Sequence, residues 1–310
     1  MNYKLLNLAV KNEFVHMGKK MKANPYFGCQ HQCLFCPAND GFLKKKVFDD
    51  YRNNGTIFVV DNIVQHVEKY ILNMGKNVSV HLSPVADPFQ PIENKVGKSR
   101  EIIEYCFNKK IPLGICTKAV IPDDIIERMG KHKESFVQLS MITEDEKKRS
   151  FIVKGGGATV NEMFKQIEKL MYNKVNTIIR VDPIFPYITD DMDEFNSFIK
   201  KLANMGITTI LSSCADLTND VLDREGPYLE TYEKGLFEKY KELYTEDIHG
   251  RQHARLAYRK SLFEKMKNIC MNYGVGFGIT WEPDLDGKSL SSLYSYGAER
   301  FEKQLIRVVT

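Results

Sequence analysis

The sequence predicts an α/β fold built on a parallel sheet. Two observations carry this expectation. Six short apolar runs are rich in Val, Ile, Thr and Phe, and amphipathic stretches of helical length lie between them. Strands separated by helices are joined by crossovers, so neighbouring strands run parallel. The pattern fits two architectures, an open doubly wound sheet and a full or partial β/α barrel. In both, chemistry gathers at the carboxyl ends of the strands.

The runs are "VSVHLS" (78–83), "PLGICT" (112–117), "FVQLSMI" (136–142), "NTIIRVDPI" (176–184), "ITTILSS" (207–213) and "GVGFGITW" (274–281). Polar segments follow them: "SPVADPF", "CTKAV", "SMITEDEKKR", "RVDPIFP" and "SSCADL". All fall on the same predicted face. Of the helices, "DNIVQHVEKYILNMG" has Asp61 as N-cap, Ile63, Val67, Ile71 and Met74 at helical spacing, and Gly75 as its stop. "TVNEMFKQIEKLMYN" carries Thr159 with Glu162 three residues on, a capping box. "DDMDEFNSFIKKLANMG" opens acidic and closes on Lys200, Lys201 and Gly206, matching the helix dipole. A helical pair without a strand is expected at 219–244 and 251–273.

The net charge of +4 permits an anionic partner without arguing for one. No run of eighteen apolar residues occurs, so no membrane span is expected. The first residues lack the apolar run and cleavage site of a signal peptide, so a cytoplasmic location is expected. There, seven cysteines are not a disulfide framework, and clustered ones read as metal-binding or redox-active.

Three of them, Cys29, Cys33 and Cys36, crowd into "NPYFGCQHQCLFCPAND". Thiolates suit zinc or iron–sulfur clusters. A structural zinc site takes four protein ligands in paired spacings, and no second pair follows here. Pro25, Gly28 and Pro37 are loop residues, which argues against three inert core thiols. A cubane cluster held by three cysteines leaves one iron open to a substrate or cosubstrate.

The C-x3-C-x2-C spacing, with Phe35 before the last cysteine, resembles the signature of the radical S-adenosylmethionine (SAM) superfamily. The likeness implies a partial (β/α)6 TIM-like barrel, with the cluster loop after the first strand. It implies a 4Fe-4S cluster and S-adenosyl-L-methionine as cofactors, and an external electron donor of flavodoxin or ferredoxin type. In that family one electron cleaves the sulfonium to methionine and a 5′-deoxyadenosyl radical, which abstracts a hydrogen atom from the substrate.

The likeness extends along residues 20–285, leaving an N-terminal extension (1–20) and a C-terminal tail (286–310). "NPYFGCQHQCLFC", "SPVADPFQPIE", "CTKA" and "RVDPIFPYITDD" resemble segments of the spore photoproduct lyase-like group. That resemblance implies cluster ligation by Cys29, Cys33 and Cys36. It places Phe35, Ser83, Asp87, Lys118, Ser140 and Arg180 at the cofactor. Arg149 is a second candidate for the cofactor carboxylate, and Arg180, inside an apolar strand, is the better one. His31, Tyr26 and Phe27 are expected to pack around the cluster and tune it. "KGGGAT" (154–159) departs from the group, which carries an E-P dipeptide there, and it lacks the phosphate-loop spacing.

Spore photoproduct lyase reverses a thymine dimer with a cysteine as hydrogen donor, and that position falls on Pro84. Cys116 and Cys214, at the ends of the third and sixth strands, are the substitute donors. Repair of spore photoproduct is therefore not expected. The expected function is a radical enzyme on an unidentified substrate. A nucleic-acid repair or modification lyase is the alternative. A cluster protein that only transfers electrons or binds partners is a second alternative. Glu282 is a weaker candidate for a pocket acid.

Overall fold

The structure, a computed structural model, describes residues 2–7, 20–34, 36, 45–75, 78–83, 85–280 and 282. Phe35 and Pro84, and the tail from 283 onward, lie outside these residues. In chain order the first elements are β1 (Tyr3–Leu6), β2 (Lys20–Ala23), β3 (Tyr26–Phe27), α1 (Lys45–Asn54), β4 (Ile57–Val60), α2 (Ile63–Met74) and β5 (Ser79–Leu82). There follow α3 (Glu93–Val96), α4 (Lys98–Asn108), β6 (Leu113–Thr117), α5 (Asp123–Lys131), β7 (Phe136–Ser140), α6 (Glu146–Ile152), α7 (Val160–Tyr172), β8 (Asn176–Ile184), α8 (Met192–Asn204) and β9 (Thr209–Cys214). The last are α9 (Asn219–Tyr232), α10 (Leu236–Leu243), β10 (Tyr244–Ile248), β11 (Arg251–Ala254), α11 (Leu256–Asn272) and β12 (Gly276–Ile279).

The main sheet has the order β12-β9-β8-β7-β6-β5-β2. Every pair in it is parallel. This order settles the choice of architecture. A doubly wound sheet reverses its strand order at a switch point. Here the order never reverses, so right-handed crossovers put every helix on one face and leave the other concave. Among the described residues β2 and β12 are edges, so the barrel is partial. Among the described residues the sheet holds seven strands: β2, before the cysteine loop, is the first strand of the (β/α)6 expectation and pairs with β5, and β12 adds a seventh beside β9.

Strand alternation sorts the side chains. Val80, Leu82, Ile115, Val137, Leu139, Ile179 and Val181 point to the helices, and pack with Ile102, Ile126, Ile167 and Ile199 in one core. Burying each such side chain stabilises by about 1.5–3 kcal/mol, enough to seat amphipathic helices. The alternate residues face the concave side. Register pairs Cys116 with Gln138 and Ser140 with Arg180 there. Cys116, Gln138 and Arg180 are half-buried, unlike their neighbours on the helix face.

The helix ends follow their sequence signals except at the start of α2, where Asn62 and not Asp61 stands at the cap position and Asp61 pairs with Lys98 instead, while Gly75 ends the helix as expected. Thr159 and Glu162 form the capping box of α7, and Asp191 caps α8. Two elements depart from expectation. β1 pairs in parallel with β4, which also pairs with β3, so the N-terminal segment shares a small sheet with the entry to the cysteine loop. The helical stretch 219–273 is interrupted by a hairpin, β10–β11. His249 and Gly250 at its tip have φ of 56° and 78°, the conformation of a two-residue turn that matches strand twist. Among the described residues, no helix is long and apolar enough to cross a membrane.

Candidate active site at the cysteine loop

The cysteine loop leaves β3 and crosses the carboxyl end of the main sheet. It is held by side chains that have nothing to do with cysteine chemistry. Gln90 is fully buried. Its Oε1 accepts the main-chain N–H of Gln30 at 2.9 Å, and its Nε2 donates to the carbonyl of Gly28 at 3.3 Å. In return the Oε1 of Gln30 accepts the N–H of Ile92 at 2.7 Å. Tyr51 donates to the carbonyl of Cys29. Tyr26 donates to Glu93, whose carboxylate also caps α4 through the N–H groups of Ser99 and Arg100, both at 2.9 Å. The "DPFQPIE" segment is thus a clamp on the loop.

The glycine-rich segment is the other jaw. Gly155 donates to the carbonyl of His31 at 2.7 Å, and Leu34 donates to the carbonyl of Ile152 at 2.8 Å. A Cβ on Gly155 would lie 1.9 Å from the carbonyl oxygen of Gln30, so no larger residue fits. The segment packs against the cysteine loop, and its glycine is required by close approach.

The three thiols lie within electrostatic reach of one another. Burial, then the charges of Asp87, Cys33 and Cys36, raise the pKa of Cys29 well above the usual thiol range. Cys33 is pushed up to about 12, chiefly by burial; Lys118 acts the other way and Cys36 adds to the rise. Crowded thiols of this kind ionise only when positive metal takes the charge. Among the described residues no three His, Cys, Asp or Glu side chains are placed to hold a single metal ion. A cubane asks for something else, one thiolate per iron. The donor set fits a cluster with three protein ligands.

The remaining predicted residues fall at the strand ends or inside the barrel. Ser83 and Ser140 are buried, and neither hydroxyl has a hydrogen-bond partner. Orphaned buried hydroxyls at the carboxyl ends of β5 and β7 suit a polar ligand. Lys118, Ser140 and Arg149 line one small cavity. Burial disfavours the Lys118 ammonium, but Cys33, Cys116, Cys36 and Asp87 outweigh it and raise its pKa. Asp87 is fully engaged by the protein: it accepts from Phe89 N, Thr117 Oγ1 and Lys118 N at 2.9, 2.8 and 2.6 Å. Its Oδ2 lies 3.2 Å from Nε2 of His31. Burial raises the Asp87 carboxyl, yet the His31 contact and the N–H donors prevail and hold it low.

Arg180 points inward. It donates to Gln138 at 2.9 Å and pairs with Asp182. Asp182 in turn accepts from Ser213 and, at 3.2 Å, from Thr280. This network spans three strands and the residue after β12. Arg149 is turned instead to Glu146 and to the carbonyl of Gly156. The two candidate donors separate. Cys116 is half-buried on the concave face, whereas Cys214 is buried in the core on the helix side. Glu282 is fully buried and bound to Arg259 at 2.8 Å, so it does not open into the barrel.

A model of the radical SAM superfamily matches residues 23–202, more than half of the chain. The chain belongs to the radical SAM superfamily. Members use a 4Fe-4S cluster and SAM, which the cysteine loop and the orphaned hydroxyls fit. The radical SAM Nalpha-GlyT isomerase of Pseudomonas phage M6 is 25% identical over 183 residues, 59% of this chain and 36% of that protein. The chain thus spans about a third of the curated relative's length. A point variant of spore photoproduct lyase superposes with a TM-score of 0.61 at 15% identity, over 83% of this chain and 74% of that one. A second variant, with bound AdoMet and dinucleoside spore photoproduct, gives 0.60 at 14%, over 84% and 76%. SuiB of Streptococcus suis bound to S-adenosylmethionine gives 0.51 at 13%, over 89% and 55%. These likenesses show that the radical SAM barrel is shared.

Sequence reasoning missed Gln30, Gln90, Glu93 and Thr117 as builders of the site. Their signal was present, since Gln90 and Glu93 stand in the quoted "DPFQPIE" segment. It also missed the inward row of Gln138, Asp182, Ser213 and Thr280, which two-residue alternation along the strands would have exposed.

Proposed function

We propose that this chain is a radical SAM enzyme that binds its cofactors at the mouth of the barrel and acts on a substrate seated against the concave face. One observation carries the reading. The three-thiol loop and the unpartnered hydroxyls of Ser83 and Ser140 stand at the carboxyl ends of one parallel sheet. Cys29, Cys33 and Cys36 would hold the cluster, and the strand ends beside them would hold SAM. When bound, the two groups supply one-electron cleavage of the sulfonium and, with it, hydrogen-atom abstraction.

The chain's own residues do the rest. Ser83 and Ser140 offer hydroxyls to SAM. Asp87 fixes Thr117 and the Lys118 backbone, and the Lys118 ammonium offsets thiolate charge. Arg180, fixed by Gln138 and Asp182, presents its remaining N–H groups inside the barrel. Cys116 faces the same side, so its S–H is the hydrogen donor in preference to Cys214. It gives a hydrogen atom to a substrate carbon radical. One electron from a flavodoxin- or ferredoxin-type carrier and a proton from solvent restore the thiol. Seven free cysteines accord with a reducing, cytoplasmic setting. A protein that only carried electrons would have no use for orphaned hydroxyls at the strand ends.

The test is spectroscopic. Cluster-loaded protein is reduced with dithionite, and its electron paramagnetic resonance spectrum is recorded with and without SAM. A changed spectrum is expected; an unchanged one contradicts the reading.

For the substrate, nucleic acid is the class with support. One similar solved protein holds a dinucleoside spore photoproduct, and the concave face offers paired donors and acceptors. Binding of single- and double-stranded DNA is measured across salt concentration. Affinity that falls with salt is expected, and a flat response counts against this substrate class.

A further inference from the structure

On the concave face, donors and acceptors are not equally open. β6, β7 and β8 each contribute one residue to a row. Register pairs Cys116 with Gln138, so their side chains stand on neighbouring strands about 4.8 Å apart. Arg180, paired with Ser140 one step nearer the carboxyl ends, reaches back and donates to Oε1 of Gln138 at 2.9 Å. Beneath the row the barrel is closed. The buried Phe136 ring covers Gly114, where a Cβ would lie 2.5 Å from it. A ligand entering from the carboxyl end meets the row as its floor.

The acceptors of this row are spent. Oε1 of Gln138 is taken by Arg180. Asp182, which pairs with Arg180, also accepts from Ser213 and, at 3.2 Å, from Thr280. Three donors leave this carboxylate little to offer, and its side chain is only 10% exposed. The donors are not spent. The Arg180 side chain is 25% exposed, and Gln138, Asp182 and Thr280 occupy at most three of its five N–H groups. Nε2 of the half-buried Gln138 donates to no group among the described residues. An open amide N–H2 beside a partly satisfied guanidinium calls for acceptors from a ligand.

Charge narrows the ligand. Arg180 and Asp182 form a contact ion pair, so the row carries no net charge. A carboxylate or phosphate would have to compete with Asp182 for the guanidinium. A neutral carbonyl does not, because it accepts from the N–H groups that Asp182 leaves over. Among nucleobases, thymine, uracil and guanine present a carbonyl oxygen where cytosine and adenine present an amino group. An amino group set against Gln138 and Arg180 brings donor against donor and leaves N–H groups unpaired.

We infer that Gln138 and Arg180 are specificity-determining residues that select a keto base over an amino base, with the base seated beside the Cys116 thiol. The inference rests on the nucleic-acid reading of the substrate and adds to it which bases the barrel admits.

The test uses the full chain, loaded with cluster and SAM, and two labelled probes, tetradeoxyuridylate and tetradeoxycytidylate. They carry the same phosphates and differ in a carbonyl against an amino group, so the ratio of affinities isolates the base. Fluorescence anisotropy is expected to show the uridylate bound about tenfold more tightly. Gln138→Glu keeps an acceptor for Arg180 and exchanges the open N–H2 for an oxygen, and should bring the ratio to one or below. A ratio of one or below in the unaltered chain overturns the inference, whether or not the variant folds, and so does a ratio retained in Gln138→Glu. Equal binding of the two probes leaves the nucleic-acid reading standing while this inference falls; binding of neither overturns that reading as well.

Discussion

The side-chain oxygen of Gln90 accepts the main-chain N–H of Gln30 at 2.9 Å, within the loop that carries the three cysteines. Because Gln90 also holds the carbonyl of Gly28, one buried amide fixes both sides of Cys29. Gln90→Leu leaves two buried main-chain groups unpaired. It is expected to destabilise the cluster-free protein by about 2–4 kcal/mol in chemical denaturation. Iron and sulfide analysis after reconstitution should show less than a full cluster per chain. Gln90→Glu keeps the acceptor for Gln30 and should recover part of both.

The glycine-rich segment makes a sterically sharper prediction. In Gly155→Ala the new methyl meets the carbonyl of Gln30 at 1.9 Å, and backbone cannot yield as a side-chain tip does. Cluster incorporation should fall steeply while far-ultraviolet circular dichroism is retained. A full cluster in this variant would show that the close approach is not what fixes the loop.

Ser83 and Ser140 separate ligand binding from stability. Each hydroxyl is buried and unpartnered, so alanine removes a desolvation cost and should leave the melting temperature of the cofactor-free protein equal or higher. The same variants should weaken SAM binding by about five- to tenfold, near 1 kcal/mol for one lost hydrogen bond. Equilibrium dialysis with labelled SAM checks the second arm and differential scanning calorimetry the first.

The buried Glu282 predicts a pH dependence. It accepts from Cys214 N at 2.7 Å and from Arg259 at 2.8 Å, but burial outweighs both donors and lifts its pKa from 4.5 to about 7. The folded chain therefore binds this proton more tightly than the unfolded chain. The stabilisation is complete below about 4.5 and is lost as pH rises through about 7. Glu282→Gln should flatten that part of the stability curve in chemical denaturation, and an unchanged slope would count against the assignment.

Thiol chemistry discriminates Cys116 from Cys214. Under the proposed ligation the cluster shields Cys29, Cys33 and Cys36, and Cys106, Cys214 and Cys270 are buried. Iodoacetamide under anaerobic conditions should label Cys116 first, and SAM should slow it. Peptide mapping that found Cys214 labelled first would exchange their roles.

The strands and capped helices were legible because each is written in local periodicity. All six predicted strands occur, and Thr159 caps α7 as expected, whereas Asp61 does not cap α2. The strand order was not legible, because periodicity fixes what an element is and leaves its neighbours open. The hairpin at 244–254 was hidden by flanking helical spacing, although His249-Gly250 is a turn pair. At the site, cysteine spacing marked the loop that the structure lays across the carboxyl end of the sheet. What it left hidden was the support, since Gln90 meets Gln30 only after sixty residues of intervening chain.

The most direct test of the account is SAM cleavage. Protein reconstituted anaerobically is given dithionite and SAM, and 5′-deoxyadenosine is quantified by chromatography. The unaltered chain should form it, and Cys33→Ala should form none and hold no intact cluster. An intact cluster in the unaltered chain that yields no 5′-deoxyadenosine would contradict the central claim.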